Sequence, residues 1–498
     1  MPRKISTLKA SIKNGLKTFN PDNKNGFSKA KDSFSDDFMQ ENKKSFKINT
    51  NISNKANFQN KEGNEQVYND LSISSDDFGS LISKATAEVK TQKKDDEKKE
   101  EFKAFDAPVI KLVNSILTKA ITNKVSDIHF EPFENSFQIR YRLDGSLYKV
   151  MNLPIAIKNA VISRIKILAE LDIAEKRIPQ DGRIKLKFKN KKAIDFRVST
   201  LPVMFGESLV IRIFDKTVLN IDLEKLGLEP LIFESLKRCI SHPYGLLLVT
   251  GPTGSGKTTT LYSILNRLNK SDTKILTIED PVEFYFKGIN QVSVKEEANM
   301  TFPVALRAFL RQDPDIIMIG EIRDIETAKI AIKAAMTGHL VFATLHTNDC
   351  PSTITRLIDL GIPSYLLASC ITMVLSQRLV RKLCPKCQQI DDKSSSQKLE
   401  LCGFSKDEIK NLKIFKDKGC KHCSNTGYTG RAGLFELMEV SENISKLINE
   451  NASEENLRKT AIKEGMITLR EAGLQKVRKQ QTSIDEVVKR TNLTRKAK

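Results

Sequence analysis

The sequence predicts an α/β protein built on a mostly parallel sheet, and three observations carry that expectation. An apolar run at 246–250 leads into the glycine-rich stretch Gly251-Pro-Thr-Gly-Ser-Gly-Lys-Thr258, and this leads into 259–269, which has helical spacing. Downstream, apolar runs alternate with helical patterns, as strands and crossover helices of a parallel sheet do. Each run ends in polar residues: 274–278 in Glu279-Asp280-Pro281-Val282-Glu283, 315–319 in Gly320-Glu321-Ile322-Arg323-Asp324, and Leu340–Leu345 in His346-Thr347. Ligands of such sheets bind at the carboxyl ends of the strands, where all these motifs fall.

A chain of 498 residues has room for two or three domains. No run approaches the roughly 18 apolar residues that span a bilayer, and the first twenty residues lack the apolar centre of a secretory signal. A soluble, cytoplasmic protein is expected. Eight cysteines then argue for thiols and metal rather than disulfides. The formal charge of +20 suggests an acidic partner, or merely a lysine-rich composition. Residues 1–100 hold 19 Lys/Arg against 15 Asp/Glu, so most of the excess lies further on.

Residues 1–104 read as a polar tail that cannot bury enough apolar surface to offset its chain entropy. Within it, Ile5, Leu8, Ile12, Leu16 and Phe19 fall on one helical face among Arg3, Lys4, Lys9, Lys13 and Lys17. That pattern, weakened by Gly15, predicts a basic amphipathic helix over 3–19 that attaches to a membrane or a partner. A small α/β domain is expected over 105–218. It opens with a helix capped by Asp106, followed by Ser126-Asp-Ile-His-Phe-Glu-Pro132 and an alternating strand that stops at Asp144-Gly145. Two later strands end in Phe196-Arg197-Val198 and Ile211-Arg212-Ile213. A linker over 219–226 leads into a nucleotide domain, 227–498.

Strand, GxxxxGK[ST] loop and helix together read as a phosphate-binding loop. Gly251, Pro252, Thr253, Gly254, Ser255, Gly256, Lys257, Thr258 and Thr259 would surround the phosphates of ATP. Lys257 would neutralise the β/γ-phosphates and Thr258 would hold Mg²⁺ through its hydroxyl. Glu321 is placed to approach the Mg²⁺ or its water, and Glu283, beside Asp280, to align the attacking water. His339 and His346 bracket one short strand and are expected to sense the γ-phosphate. Arg197 and Arg212, fifteen residues apart, and the i, i+4 pair Arg307 and Arg311 are candidate arginines, though spacing alone would not single out exposed arginines and it is mainly a family resemblance that does. Cys384-Pro-Lys-Cys387 and Cys420-Lys-His-Cys423 make two CxxC pairs suited to a structural Zn²⁺, with a module of 384–423 between and around them. Cys239, Cys350, Cys370 and Cys402 read as core residues.

GPTGSGKTTTLY, TIEDPVEF, LRQDPDIIMIGEIRD, TGHLVFATLHTN and QRLVRKLCPKC, with SDIHFEP, RIPQDGRI and FRVSTLP in the front domain, resemble the secretion and pilus-assembly ATPase family. The resemblance covers about 105–475. It implies a RecA-like ATPase domain behind a smaller PAS-like α/β domain, joined as a homo-hexamer with ATP held between the two. It implies Walker A at 251–258, an aspartate box at 279–283, Walker B at 315–321 and a histidine box at His339 and His346. Arg197 and Arg212 match front-domain arginines that close over the phosphates. The implied partner is an inner-membrane platform protein, with the motor peripheral at the cytoplasmic face of that membrane. Retraction motors lack the tetracysteine insertion, so the resemblance is to the assembly or secretion branch. The polar tail departs from the family's docking domains, so no cyclic-dinucleotide site is expected. The alternative is an ATP-driven nucleic-acid translocase, against which stands the lack of any stacking platform or DNA-reading module.

Overall fold

The computed structural model describes residues 66–68, 79–87, 107–188, 193–214, 222–392 and 394–491. The helix expected over 3–19 lies outside them.

The front domain contains strand β1 (Gln66–Tyr68), helix α1 (Ala107–Thr122), strands β2 (Asp127–Pro132), β3 (Phe137–Leu143) and β4 (Ser146–Leu153), helix α2 (Lys158–Leu168), and strands β5 (Gln180–Phe188), β6 (Ile194–Val203) and β7 (Gly206–Phe214). They form one sheet in the order β1-β5-β6-β7-β2-β3-β4. In β3 the side chains alternate, so Phe137, Ile139 and Tyr141 are buried against Leu112, Val113, Ile116 and Leu117 of α1. Each such burial contributes about 1.5–3 kcal/mol. The Tyr141 hydroxyl would be orphaned in that core, but it donates to the Ile116 carbonyl at 2.8 Å. Asp144 and Gly145, at φ 49° and 85°, close the two-residue hairpin between β3 and β4. Two stretches upstream of the boundary expected at 105 belong to this domain. β1 pairs in parallel with β5, and the helical turn at 79–87 buries Ala85 in the front core. Three paired residues and one small side chain give no periodic signal within a polar segment.

The second domain holds helix α3 (Pro230–Ile240), strand β8 (Gly245–Thr250), helix α4 (Lys257–Leu268), strands β9 (Ile275–Glu279) and β10 (Ile289–Ser293), and helix α5 (Phe302–Phe309). There follow β11 (Ile316–Ile319), α6 (Ile325–Met336), β12 (Leu340–Leu345), α7 (Cys350–Asp359), α8 (Ser364–Cys370) and β13 (Ile371–Leu383). Its sheet runs β10-β9-β11-β12-β8-β13-β16, where β16 (Tyr428–Glu439) alone is antiparallel, to β13. Both faces of β8 are covered: Leu246 and Leu248 enter one core, Leu247 and Val249 the other. Continuous apolar strands are what that double covering requires. Leu223, in the capped turn Leu223–Leu226, is buried in the same core, so the second half of the expected linker packs as part of this domain.

Between β13 and β16 the chain makes the cysteine module, with β14 (Gln389–Ile390), α9 (Ser396–Cys402), α10 (Lys406–Ile409) and β15 (Phe415–Lys416). Leu399, Phe404 and Ile414 of the module pack on Leu474 and Val477 of α13 (Leu469–Arg478) and on Ile484 and Val487 of α14 (Ile484–Arg490). The last helices are α11 (Glu442–Asn449), α12 (Glu454–Lys463), α13 (Leu469–Arg478) and α14 (Ile484–Arg490). Cys239, Cys350, Cys370 and Cys402 are buried thiols, as expected.

Candidate functional site

The loop between β8 and α4 depends on glycine. Gly251, Gly254 and Gly256 have φ of 143°, 77° and 91°, where side chains are strained. A Cβ on Gly251 would lie 2.5 Å from the Gln377 carbonyl oxygen and 2.7 Å from Ser255 Oγ. Gln377 of β13 fastens the loop from below: its Nε2 donates to the Ser255 carbonyl at 2.7 Å and its Oε1 accepts from Thr260 Oγ1 at 2.9 Å. Lys257 Nζ donates to the loop carbonyls of Gly251, at 2.9 Å, and Pro252, at 3.2 Å. Burial lowers the Lys257 amine to about 8, with Glu321 opposing. A buried ammonium so placed gains most from an anion beside it.

Thr253, Gly254, Gly256, Lys257, Thr258 and Thr259 line a cleft of about 980 Å³, while Gly251, Pro252 and Ser255 shape the loop without lining it. Glu283, Glu321 and His346 line the same cleft from the ends of the neighbouring strands. Glu321 pairs with Arg323 and stands 3.4 Å from His346 Nε2, and Asp280 is 3.4 Å from Arg323. Burial and then Lys257 lower the His346 imidazole, which is therefore neutral at pH 7. Burial raises the Glu283 carboxyl, with Arg197 opposing and Glu279 adding to the rise. A raised carboxyl in a cleft suits a proton acceptor better than an ordinary surface glutamate does. Glu279 is already committed: it accepts from Tyr262, from Thr277 at 2.7 Å and from Gln291 at 3.2 Å.

The front sheet supplies the opposite wall through its register. Arg142 pairs across to Asp127, Asp127 to Arg212, Arg212 to Arg197 and Arg197 to Arg183, a row crossing β3, β2, β7, β6 and β5. Directly opposed residues share a face and like charges there repel, so four arginines with one aspartate form a cationic row that favours an anion. Asp127 accepts from Arg212 Nε at 2.8 Å and lies 3.6 Å from Arg142 Nε. Asp127, Arg142 and Arg212 line the cleft. Arg197 stands one strand back, over the Phe214 ring at 4.5 Å, and burial and then Arg183 lower its guanidinium.

Not every expected residue reaches the cleft. His339 lies at the other end of β12 from His346, about 23 Å away for seven extended steps. Its Nδ1 is 3.0 Å from the Ala334 carbonyl, and it closes the end of α6 rather than facing the nucleotide loop of its own chain. Arg307 pairs with Glu326, and Arg311 donates to the Arg307 carbonyl at 2.8 Å, both away from the cleft lining. The sequence reading missed Gln377, Asp127 and Arg142 at the site, and Arg183 behind it in the same row. Three of them sat inside quoted motifs, but only the fold shows what they touch.

The four module cysteines converge, with all Sγ atoms within 4.8 Å of one another. The contacts Cys384–Cys420, Cys387–Cys423 and Cys420–Cys423 measure 3.9, 3.8 and 3.7 Å. A tetrahedron with zinc–sulfur bonds of about 2.3 Å has edges of about 3.8 Å, so the donor set fits that ion. Burial raises the Cys423 thiol, but N–H donation from Cys420 and Gly427 and hydrogen bonds from the Cys420 and Cys387 thiols outweigh it and bring it to about 7, while burial pushes its neighbour Cys387 up to about 12.

A family model described as type II/IV secretion system protein matches residues 102–489. The chain belongs to that family. Among relatives in the secretion family, it is 50% identical over 388 residues to the type IV pilus assembly ATPase PilB of Myxococcus xanthus, covering 78% of this chain and 69% of that one. It is 48% identical over 385 residues to the type II secretion system protein HxcR of Pseudomonas aeruginosa, covering 77% and 78%. A solved structure of the pilus retraction motor PilT with bound ADP superposes with a TM-score of 0.52 at 26% identity, over 77% of this chain and 98% of that one. The Legionella pneumophila ATPase DotB, at 21% identity and a TM-score of 0.56, shares the fold over 78% and 96%.

Proposed function

We propose that this chain is an ATP-hydrolysing motor for assembly of a type IV pilus or of the pseudopilus of type II secretion. The observation that carries the reading is that Arg142 and Arg212, from the cationic row of the front sheet, line the same cleft as the phosphate loop. The PilB and HxcR relatives support the machine class.

In this reading the loop N–H groups and Lys257 grip the β/γ-phosphates, and Arg212 and Arg142 meet charge on their far side. Thr258 and Glu321 would hold Mg²⁺, which would supply positive charge to offset that of the phosphates. Glu283 positions the attacking water and accepts its proton. His346, neutral and beside Glu321, is placed to register loss of the terminal phosphate. Cleavage then weakens the hold of the two walls on each other, and the domains move apart within a homo-hexameric ring. The module cysteines hold Zn²⁺, and the ring works against an inner-membrane platform protein at the cytoplasmic face. Among the described residues no helix is long and apolar enough to cross a membrane.

The test is turnover of the purified full chain with ATP and Mg²⁺, with mass measurement of the assembly. Hydrolysis by a six-subunit species, stimulated by lipid or platform protein, is expected. No hydrolysis in any oligomer, or stimulation by DNA instead, overturns the reading.

A further inference from the structure

β13 links three places that the chemistry of the cleft does not by itself connect. Gln377 fastens the phosphate loop, Leu379 lines the cleft, and Arg381 reaches the front domain, all at alternate positions. Three residues beyond Arg381 stands Cys384, the first of the four module cysteines.

Arg381 is held by both domains at once. Its Nη1 donates to Tyr148 Oη of the front hairpin at 2.6 Å, and its Nη2 to Glu486 Oε1 at 2.5 Å. Its guanidinium lies 3.9 Å over the Tyr428 ring. Tyr428 in turn is fixed by the module. The Cys384 N–H donates to the Gly427 carbonyl at 2.9 Å, and the Gly427 N–H donates to Cys423 Sγ at 3.2 Å. Tyr428 Oη meets Asp417 at 2.9 Å and Ser483 at 2.8 Å. The same hairpin makes a second contact beside it, where Asp144 Oδ2 accepts from the Gly430 N–H at 2.8 Å. That hairpin also carries Arg142, whose neighbour across the register is Asp127, the support of Arg212.

We propose that the tetracysteine module anchors an interdomain clasp centred on Arg381, which holds the β3–β4 hairpin, and through it Arg142 and Arg212, in place over the phosphate loop. Arg381, Tyr148 and Asp144 are positioning residues in this scheme. The cation acts by stiffening the Gly427-Tyr428 backbone on which the Arg381 guanidinium rests. The effect on turnover rests on the ATP-motor reading, whereas the effect on hairpin mobility does not.

Hydrogen exchange on the full chain, with metal content measured alongside, tests the clasp. Tyr148→Phe removes one hydroxyl and no metal ligand. A hydrogen bond to a charged group changes an opening equilibrium by about tenfold or more, so amides 143–148 are expected to exchange about tenfold faster. Metal content and the protection of β8 and β12 stay at wild-type values. Arg381→Lys, which keeps the charge and loses the planar fork, behaves as Tyr148→Phe does. Removing the metal from wild type with a chelator speeds the same hairpin, and removing it from Tyr148→Phe adds little more, because both act on one contact. In turnover, Tyr148→Phe lowers kcat more than it raises KM. Wild-type hairpin exchange in Tyr148→Phe, a hairpin indifferent to chelation, or independent additive effects of the two would each overturn the clasp. A chain that shows the exchange pattern but hydrolyses no ATP keeps the clasp and loses the motor reading.

Discussion

The two walls of the cleft are encoded in opposite ways. The loop wall is nine consecutive residues, 251–259, whose glycine angles, lysine and helix N-terminus are local properties of the chain. The front wall is Arg142, Asp127 and Arg212 from three strands, with Arg197 and Arg183 of two further strands continuing the row behind it, all made adjacent only by antiparallel pairing. A one-residue slip in any of those strands would turn its member of the row to the other face. The loop wall is thus robust to the fold around it, while the front wall is as good as its register and its docking. Half of such a cleft can be read as a motif, and half exists only as a surface.

Perturbing each wall separates them. Lys257→Ala should have the largest effect, lowering turnover by about 10³-fold or more and weakening nucleotide binding, since no other ammonium is buried in the loop; steady-state kinetics and nucleotide titration check it. Glu283→Gln should keep binding and lose about 10²–10⁴-fold in kcat, the usual contribution of a positioned proton acceptor. Arg212→Ala should cost about 10²–10³-fold in kcat, as loss of a charge-stabilising donor does, and Arg183→Ala clearly less because it stands two strands further back. Equal losses at Arg183 and Arg212 would show that the row acts as a field rather than through contact. Gln377→Leu should cost least, about tenfold in nucleotide affinity for an unsatisfied loop carbonyl, at unchanged Zn²⁺ content. If it matched Lys257→Ala, the loop would not be the self-sufficient wall described.

The pH dependence of kcat/KM adds a test of Glu283. Its carboxyl is raised by burial, so the ionised acceptor disappears below a pKa higher than the usual carboxylate value of about 4.3. Activity is expected to fall on the acid side from that higher point, and Glu283→Gln to remove this limb. Stability follows the other sign at Glu486. Hydrogen bonds from Arg381 outweigh burial and hold that carboxylate below its ordinary range. A depressed carboxylate gives stability above its unfolded pKa of about 4.3 and loses it as pH falls through the folded value. Acid unfolding of the C-terminal helices should therefore shift to higher pH in Arg381→Lys, followed by circular dichroism.

Most of the fold was legible because its signals are local. Apolar runs of four to six residues broken by polar strand ends gave the parallel sheet, and Asp144-Gly145 gave the hairpin that closes β3 and β4. Two CxxC pairs gave the four-sulfur cluster despite the long insertion between them. Boundaries were less legible. Leu223 joins the ATPase core from within the expected linker, and β1 joins the front sheet from within the expected tail, because one buried side chain or three backbone pairs barely alter composition.

What the sequence determined by itself was chemistry with a short range: a glycine loop of the phosphate-binding pattern, carboxylates at strand ends, and thiols spaced for a tetrahedral ion. What the tertiary structure decided was which of those groups share a space. It set His346 in the cleft and His339 at the far end of the same strand, and gave Gln377 and Arg381 partners more than a hundred residues away in sequence. The reason is physical. Backbone angles and ligand spacing are fixed within a turn or two of chain, whereas an electrostatic wall requires strands from separate parts of the sequence to arrive in one register.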